Sequence, residues 1–209
     1  MTTDAYSAHP VLPIAEGWHA VALTRDVPAG QALPVVLGGR EIVVWRGEGG
    51  AVRAWVDRCP HRGMRLSFGF VRGDTLSCLY HGWRYQQDGG CERIPAHPDL
   101  VPPKSITADV HPVAEAAGLV WLRIGAGADG PAIPPGDWQG AASVTVDVPA
   151  DAVRALLPPP AGGHAEVQPV GADRCRMHVV AAAGRLKEMA AFAEQLRLRA
   201  ERQIPLAAE

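Results

Sequence analysis

Short apolar runs alternate with turn residues along most of the chain. HAVAL (19–23), ALPVVL (32–37), EIVVWR (41–46) and VRAWV (52–56) each predict a strand. PAG at 28–30, GGR at 38–40 and GEGG at 47–50 predict the turns between them. Further strands are expected at TLSC (75–78), WRYQ (83–86), SITADV (105–110) and LVWLRI (119–124). A Gly/Pro-rich connector follows, then strands at SVTVDV (143–148), AEVQPV (165–170) and RCRMHVV (174–180), with the breaker PPPAGG at 158–163. Apolar residues at 186, 189, 190, 193, 196, 200 and 204 keep helical spacing, so the last segment predicts an amphipathic helix. Regular strands with tight turns point to a mainly β fold, an antiparallel β-sandwich or barrel. A short α+β region closes it. The expected division is 1–125, a connector at 126–140, and 141–209.

Composition agrees with that reading. Of 209 residues, 23 are Gly and 19 Pro, about a fifth of the chain against an ordinary share of about 12%. Long uninterrupted helices are therefore excluded for most of it. A net charge of −2 removes the basic footprint of a nucleic-acid binder. The N-terminal residues carry neither a positive n-region nor an apolar h-region, and no apolar stretch reaches the length of a membrane span. The expectation is a soluble, cytoplasmic protein. Four cysteines without a secretory signal argue for metal or redox use over a disulfide framework.

Two segments hold the chemistry. Cys59-Pro60-His61-Arg62-Gly63 and Cys78-Leu79-Tyr80-His81-Gly82-Trp83 give C-x-H, sixteen residues, then C-x-x-H. Two thiolates and two imidazoles suit a structural zinc. They equally suit a Rieske cluster, with two Cys on one iron and two His on the other. The interleaving favours the cluster, because each segment supplies one Cys and one His and two facing loops can then reach both irons. Gly63 and Gly82 permit tight turns there.

The stretch CPHRGMRLSFGFVRGDTLSCLYHGWRYQQDGGCERIP (59–95) resembles the Rieske domain of the Rieske non-haem iron aromatic-ring oxygenases and related demethylases. The resemblance runs from about residue 18 to 125. It implies antiparallel sheets with a [2Fe–2S] cluster at the tip of two loops. Cys59 and Cys78 would hold the buried iron, and His61 and His81 the outer one. Met64 and Tyr80 stand where respiratory Rieske proteins carry bridging cysteines, so no such disulfide is expected. Leu79 replaces the proline usual in the second box. Few hydroxyl donors are expected near the sulfurs, which implies the low end of the Rieske range of potentials.

The family's catalytic iron motif resembles D/E-x-x-H-x4-H, and no two histidines here lie within five residues of each other. Residues 143–204 resemble the outer parts of the family's larger C-terminal domain. The resemblance therefore implies a redox component without its own catalytic iron. Such a component would take electrons from a ferredoxin or flavin reductase. It would pass them to an iron-bearing oxygenase subunit in a hetero-oligomer, with no nucleic acid or membrane involved. One alternative is a self-contained oxygenase using His164, His178 and Glu166 or Asp173 as unorthodox ligands. Another is a non-redox assembly module. Cys91 and Cys175 read as buried small hydrophobes, and His97 and His111 as loop residues. Trp83 and Tyr85 read as core of the cluster loop. Arg58, Arg62 and Arg65 read as a solvated face, or as a patch facing an acidic partner or the cluster's charge.

Overall fold

The structure is a computed structural model that describes residues 10–127, 129–133, 135–157 and 162–203. It divides into two compact units that chain order does not separate. One comprises Met1–Arg25, Val36–Arg40 and Ala114–Glu209, the other Asp26–Val35 and Glu41–Val113.

Two four-stranded antiparallel sheets lie mostly in the second unit. The first has the order β2-β3-β4-β9, formed by β2 (Ala32–Leu37), β3 (Arg40–Arg46), β4 (Val52–Val56) and β9 (Val110–His111). The second has the order β5-β6-β7-β8, formed by β5 (Phe70–Arg72), β6 (Thr75–Ser77), β7 (Arg84–Tyr85) and β8 (Cys91–Arg93). Five consecutive buried residues of β3, Glu41 to Trp45, explain its near-continuous apolar sequence, since both faces of the strand are covered. Trp45 and Trp55 meet edge to face at 4.9 Å. They pack with Val43, Leu66, Leu76 and Tyr85 into one core that also buries Cys59 and Cys78. The two candidate thiols thus lie at the edge of an apolar cluster.

In the other unit, β1 (Gly17–Leu23) pairs with β11 (Leu119–Ile124), which pairs with β10 (Val113–Ala116). A second sheet has the order β12-β14-β13, from β12 (Gln139–Val146), β13 (Gly163–Gly171) and β14 (Arg174–Ala181). Alternation along β14 sends Cys175, Met177, Val179 and Ala181 to one face. There they meet α2 (Leu186–Gln203) through Met189, Ala193, Leu196 and Ala200, the helical stripe expected from the sequence. The last position of that stripe, residue 204, lies outside the described residues. DAVRALL (151–157), which resembles an early helix of the family's C-terminal domain, is helical as far as Leu156, in α1 (Ala150–Leu156). The helix ends where Pro158 forces its predecessor Leu157 into extended backbone.

Several strand limits differ from expectation. β12 begins at Gln139, inside the segment read as connector, and a bulge at Gly140–Ala142 absorbs the irregularity. Of SITADV only Val110 is in a strand, joined by His111, which is therefore a strand residue pairing with Ala54. No helix is long and apolar enough to cross a membrane among the described residues.

Candidate metal centre

The two ligand-bearing loops are built alike. In the first, the Cys59 amide donates to the Met64 carbonyl at 2.8 Å and the Gly63 amide returns to the Cys59 carbonyl at 2.8 Å. In the second, the Cys78 amide donates to the Trp83 carbonyl at 2.9 Å and Gly82 returns to the Cys78 carbonyl at 3.0 Å. The offsets from each cysteine are the same. Both turns need a residue in the left-handed region, and Gly63 (φ 70°) and Gly82 (φ 68°) supply it.

This geometry aims backbone N–H groups at each sulfur. Cys59 receives those of His61 and Arg62, Cys78 those of Tyr80 and His81. The two side chains also share a hydrogen bond, from the Cys78 thiol to the Cys59 sulfur. The bond from Cys78 is the largest influence holding Cys59 down to about 5; the Tyr85 hydroxyl and the two amides lower it further, against burial. Cys78, as the donor, is pushed up, and burial adds to that. Cys59, cradled in this way, is preorganised for thiolate, the form that binds metal, while Cys78 holds the proton the two sulfurs share.

Depth divides the four side chains. Both cysteines are buried, at 4% and 2% exposure, whereas His61 is half-buried and His81 exposed. The imidazoles lie beside one another with centroids 4.6 Å apart. Trp83 stacks on His61 at 4.2 Å, nearly parallel, and Tyr80 tilts onto His81 at 3.8 Å. The predicted set Cys59, His61, Cys78 and His81 is therefore brought together as two pairs, sulfur inside and nitrogen outside. A donor set split in this way fits two metals of different surroundings better than one tetrahedral zinc, which would draw all four to a single point. All four cysteines are free thiols, Cys91 and Cys175 included. Cys175 is buried in the apolar core as expected, and Cys91 is only partly buried.

Three features of the site went unread in the sequence. The Tyr85 hydroxyl reaches the Cys59 sulfur at 3.1 Å, a hydroxyl in contact with a candidate ligand. Trp83 is a stacking partner of His61 rather than mere core. Arg58 and Arg65 form neither a free basic patch nor a solvated face: both pair with the buried carboxylate of Glu41. Only the Cys/His spacing carried a signal at sequence level.

The alternative iron ligands are engaged elsewhere. His178 is buried in β14 with Nδ1 2.8 Å from the Ser143 hydroxyl and Nε2 2.8 Å from the Gln168 amide oxygen. His164 bonds Glu166 at 2.6 Å. Among the described residues no three His, Cys, Asp or Glu side chains converge on one point to hold a single ion, and the four of the twinned loops lie instead as two pairs.

Two buried thiols and two outer imidazoles on twinned loops of a small antiparallel β unit are a donor set that suits an iron–sulfur cluster with mixed cysteine and histidine ligation. Residues 17–108 match the Rieske [2Fe–2S] domain family, which implies a [2Fe–2S] cluster, and Rieske oxygenases and demethylases are among the proteins the chain is similar to. Over 109 residues it is 42% identical to the oxidoreductase NdmD of Pseudomonas putida, covering 52% of this chain and 18% of that protein. Over 108 residues it is 39% identical to a probable 3-ketosteroid-9-alpha-monooxygenase oxygenase component of Rhodococcus rhodochrous, covering 52% of this chain and 27% of that one. The chain thus spans less than a third of either relative. The fold is similar to that of apo dicamba monooxygenase, with a TM-score of 0.74, 18% identity, and coverage of 90% of this chain and 86% of that one.

Proposed function

We propose that Cys59 and Cys78 hold the inner iron of the cluster and His61 and His81 the outer one, and that the chain is an electron-carrying component of a Rieske oxygenase system. A cluster so held accepts and returns one electron at a time. The observation that carries the reading is the division of the four side chains by depth, thiols buried and imidazoles toward solvent. In that arrangement the histidine edge is the side a redox partner reaches. Electrons would arrive there from a ferredoxin or flavin reductase and leave for a mononuclear iron on a partner oxygenase subunit. The relatives named as an oxidoreductase and as the oxygenase component of a monooxygenase support a place in such a system.

The test is iron and acid-labile sulfide per anaerobically purified chain, with an EPR spectrum after dithionite reduction. Two irons, two sulfides and a low-average-g signal are expected. One zinc, or a cluster that cannot be reversibly reduced, would overturn the reading. A third iron still bound after gel filtration would favour the self-contained oxygenase instead.

A further inference from the structure

We infer that Glu41 is a positioning residue of the metal centre, holding the first ligand loop closed through Arg58 and Arg65. The inference rests on the ligand assignment proposed above and adds a residue 18 positions upstream of the first ligand.

The loop is closed by three nested ties. Innermost are its own backbone bonds, Cys59 to Met64 and Gly63 to Cys59. Outermost, the Asp57 carboxylate, 1% exposed, takes the Ser67 amide at 2.7 Å and the Ser67 hydroxyl at 2.6 Å. Between them lies the tie made by Glu41. Arg58 and Arg65 stand one on each side of the loop, and each gives a guanidinium N–H to a different oxygen of that one carboxylate. Arg58 also reaches the Gly63 carbonyl at 3.3 Å, inside the loop. The Asp57 amide donates to the Glu41 carbonyl at 3.0 Å, so the point where the loop leaves β4 is fixed to β3 as well.

The burial of this carboxylate needs an explanation that core packing does not give. Glu41 opens a run of buried residues in β3, and its side chain is only 6% exposed, while Arg58 and Arg65 remain 30% and 34% exposed. A charged group is seldom taken out of water unless it is paired, and a buried triad adds little to stability over well-packed apolar residues. What the triad does add is geometry. One rigid carboxylate fixes the separation of two planar forks, and those forks stand at the two ends of the segment carrying Cys59 and His61. Charge follows the same arrangement. Two guanidinium groups at the base of the loop are held at a net charge of one by Glu41, so losing its charge raises the positive potential felt at the cluster.

The experiment compares wild type, Glu41→Gln and, as a control at an exposed arginine away from the loop, Arg72→Gln, all as holoproteins. Cluster release to EDTA and the midpoint potential are measured, with far-UV circular dichroism to follow the fold. Glu41→Gln is expected to release its cluster about 10- to 100-fold faster, the range usual for groups behind metal ligands, and to have a raised potential. Arg72→Gln is expected to match wild type. Should Glu41→Gln fail to accumulate folded, Arg65→Lys keeps the charge and loses the fork; faster release at an unchanged potential is expected of it. Wild-type release and potential in Glu41→Gln, or wild-type release in Arg65→Lys, would overturn the role of Glu41 alone. A wild-type protein with no cluster would overturn the ligand assignment and this inference with it.

Discussion

The Tyr85 hydroxyl lies 3.1 Å from the sulfur of Cys59, and neither residue is open to solvent. Burial raises the Tyr85 hydroxyl out of the range in which it could ionise, so it remains a donor to the sulfur. A donor to a cluster thiolate favours the more negative, reduced state. Tyr85→Phe removes the hydroxyl and keeps the ring, so the apolar cluster around it stays filled. The midpoint potential is expected to fall. A hydrogen bond worth about 1 kcal/mol more in the reduced state corresponds to about 40 mV for one electron. Protein-film voltammetry of the two proteins reads this directly, and an unchanged or raised potential would mean that the hydroxyl does not act on the cluster.

Trp83 covers His61 at 4.2 Å with planes 7° apart, which fixes the ring while leaving His81 more open. Trp83→Leu keeps bulk but removes the flat face. Faster cluster loss on dilution into chelator is expected, in the about 10-fold region typical of supports behind a metal ligand. Retention at the wild-type rate would assign Trp83 to packing alone.

His178 provides a pH test in the other unit. The Gln168 amide nitrogen donates to the Val36 carbonyl at 2.7 Å, so its oxygen faces His178, and Nε2 must carry the proton. Nδ1 then accepts from Ser143. The ring is neutral in this network, and burial, with Arg176 adding, lowers its pKa to about 3. In the unfolded chain the same ring takes a proton near pH 6.5, so the unfolded state binds more protons below that value. Stability is complete above pH 6.5 and falls as pH drops from there toward about 3. The slope from this one residue is about 1.4 kcal/mol per pH unit. Urea midpoints at pH 7.5, 6 and 5 should show it, and His178→Gln should lack one proton's worth of that slope while being less stable at pH 7.5.

Much of this fold is written locally, and the exceptions have physical causes. β2, β4 and β11 occupy the residues their apolar patterns predict. β5 (FVR), β8 (CER) and β10 (VAEA) are too short and too charged to announce themselves; they are strands because a partner lies beside them. The Cys/His spacing was legible because metal binding tolerates few residue types. Glu41 and Tyr85 were not, because a glutamate at a strand start and a tyrosine in a short strand have ordinary explanations until folding brings them to residues 17 and 26 positions away. The pairing of Arg58 and Arg65 was hidden for the same reason, since Glu41 lies in β3 and both arginines in the ligand loop.

His81 is the sharpest test of the ligand set because it can be changed without touching the core. Its side chain is exposed, and the Gly82 and Trp83 backbone bonds that close its loop do not use it. His81→Ala should therefore leave the β-sheets, and with them the far-UV spectrum, close to wild type. The outer iron would lose one of its two imidazoles, and the visible absorption and the low-average-g EPR signal should disappear. His81→Cys poses the converse question. A second thiolate type at the outer iron should yield, if any cluster forms, an all-red-shifted spectrum with a lower potential, because thiolate in place of imidazole adds negative charge and removes the feature that raises Rieske potentials. Visible absorption that survived His81→Ala unaltered would mean that the outer iron is held by something other than this histidine, and that the pairing of His61 with His81 at 4.6 Å reflects ring packing and not coordination.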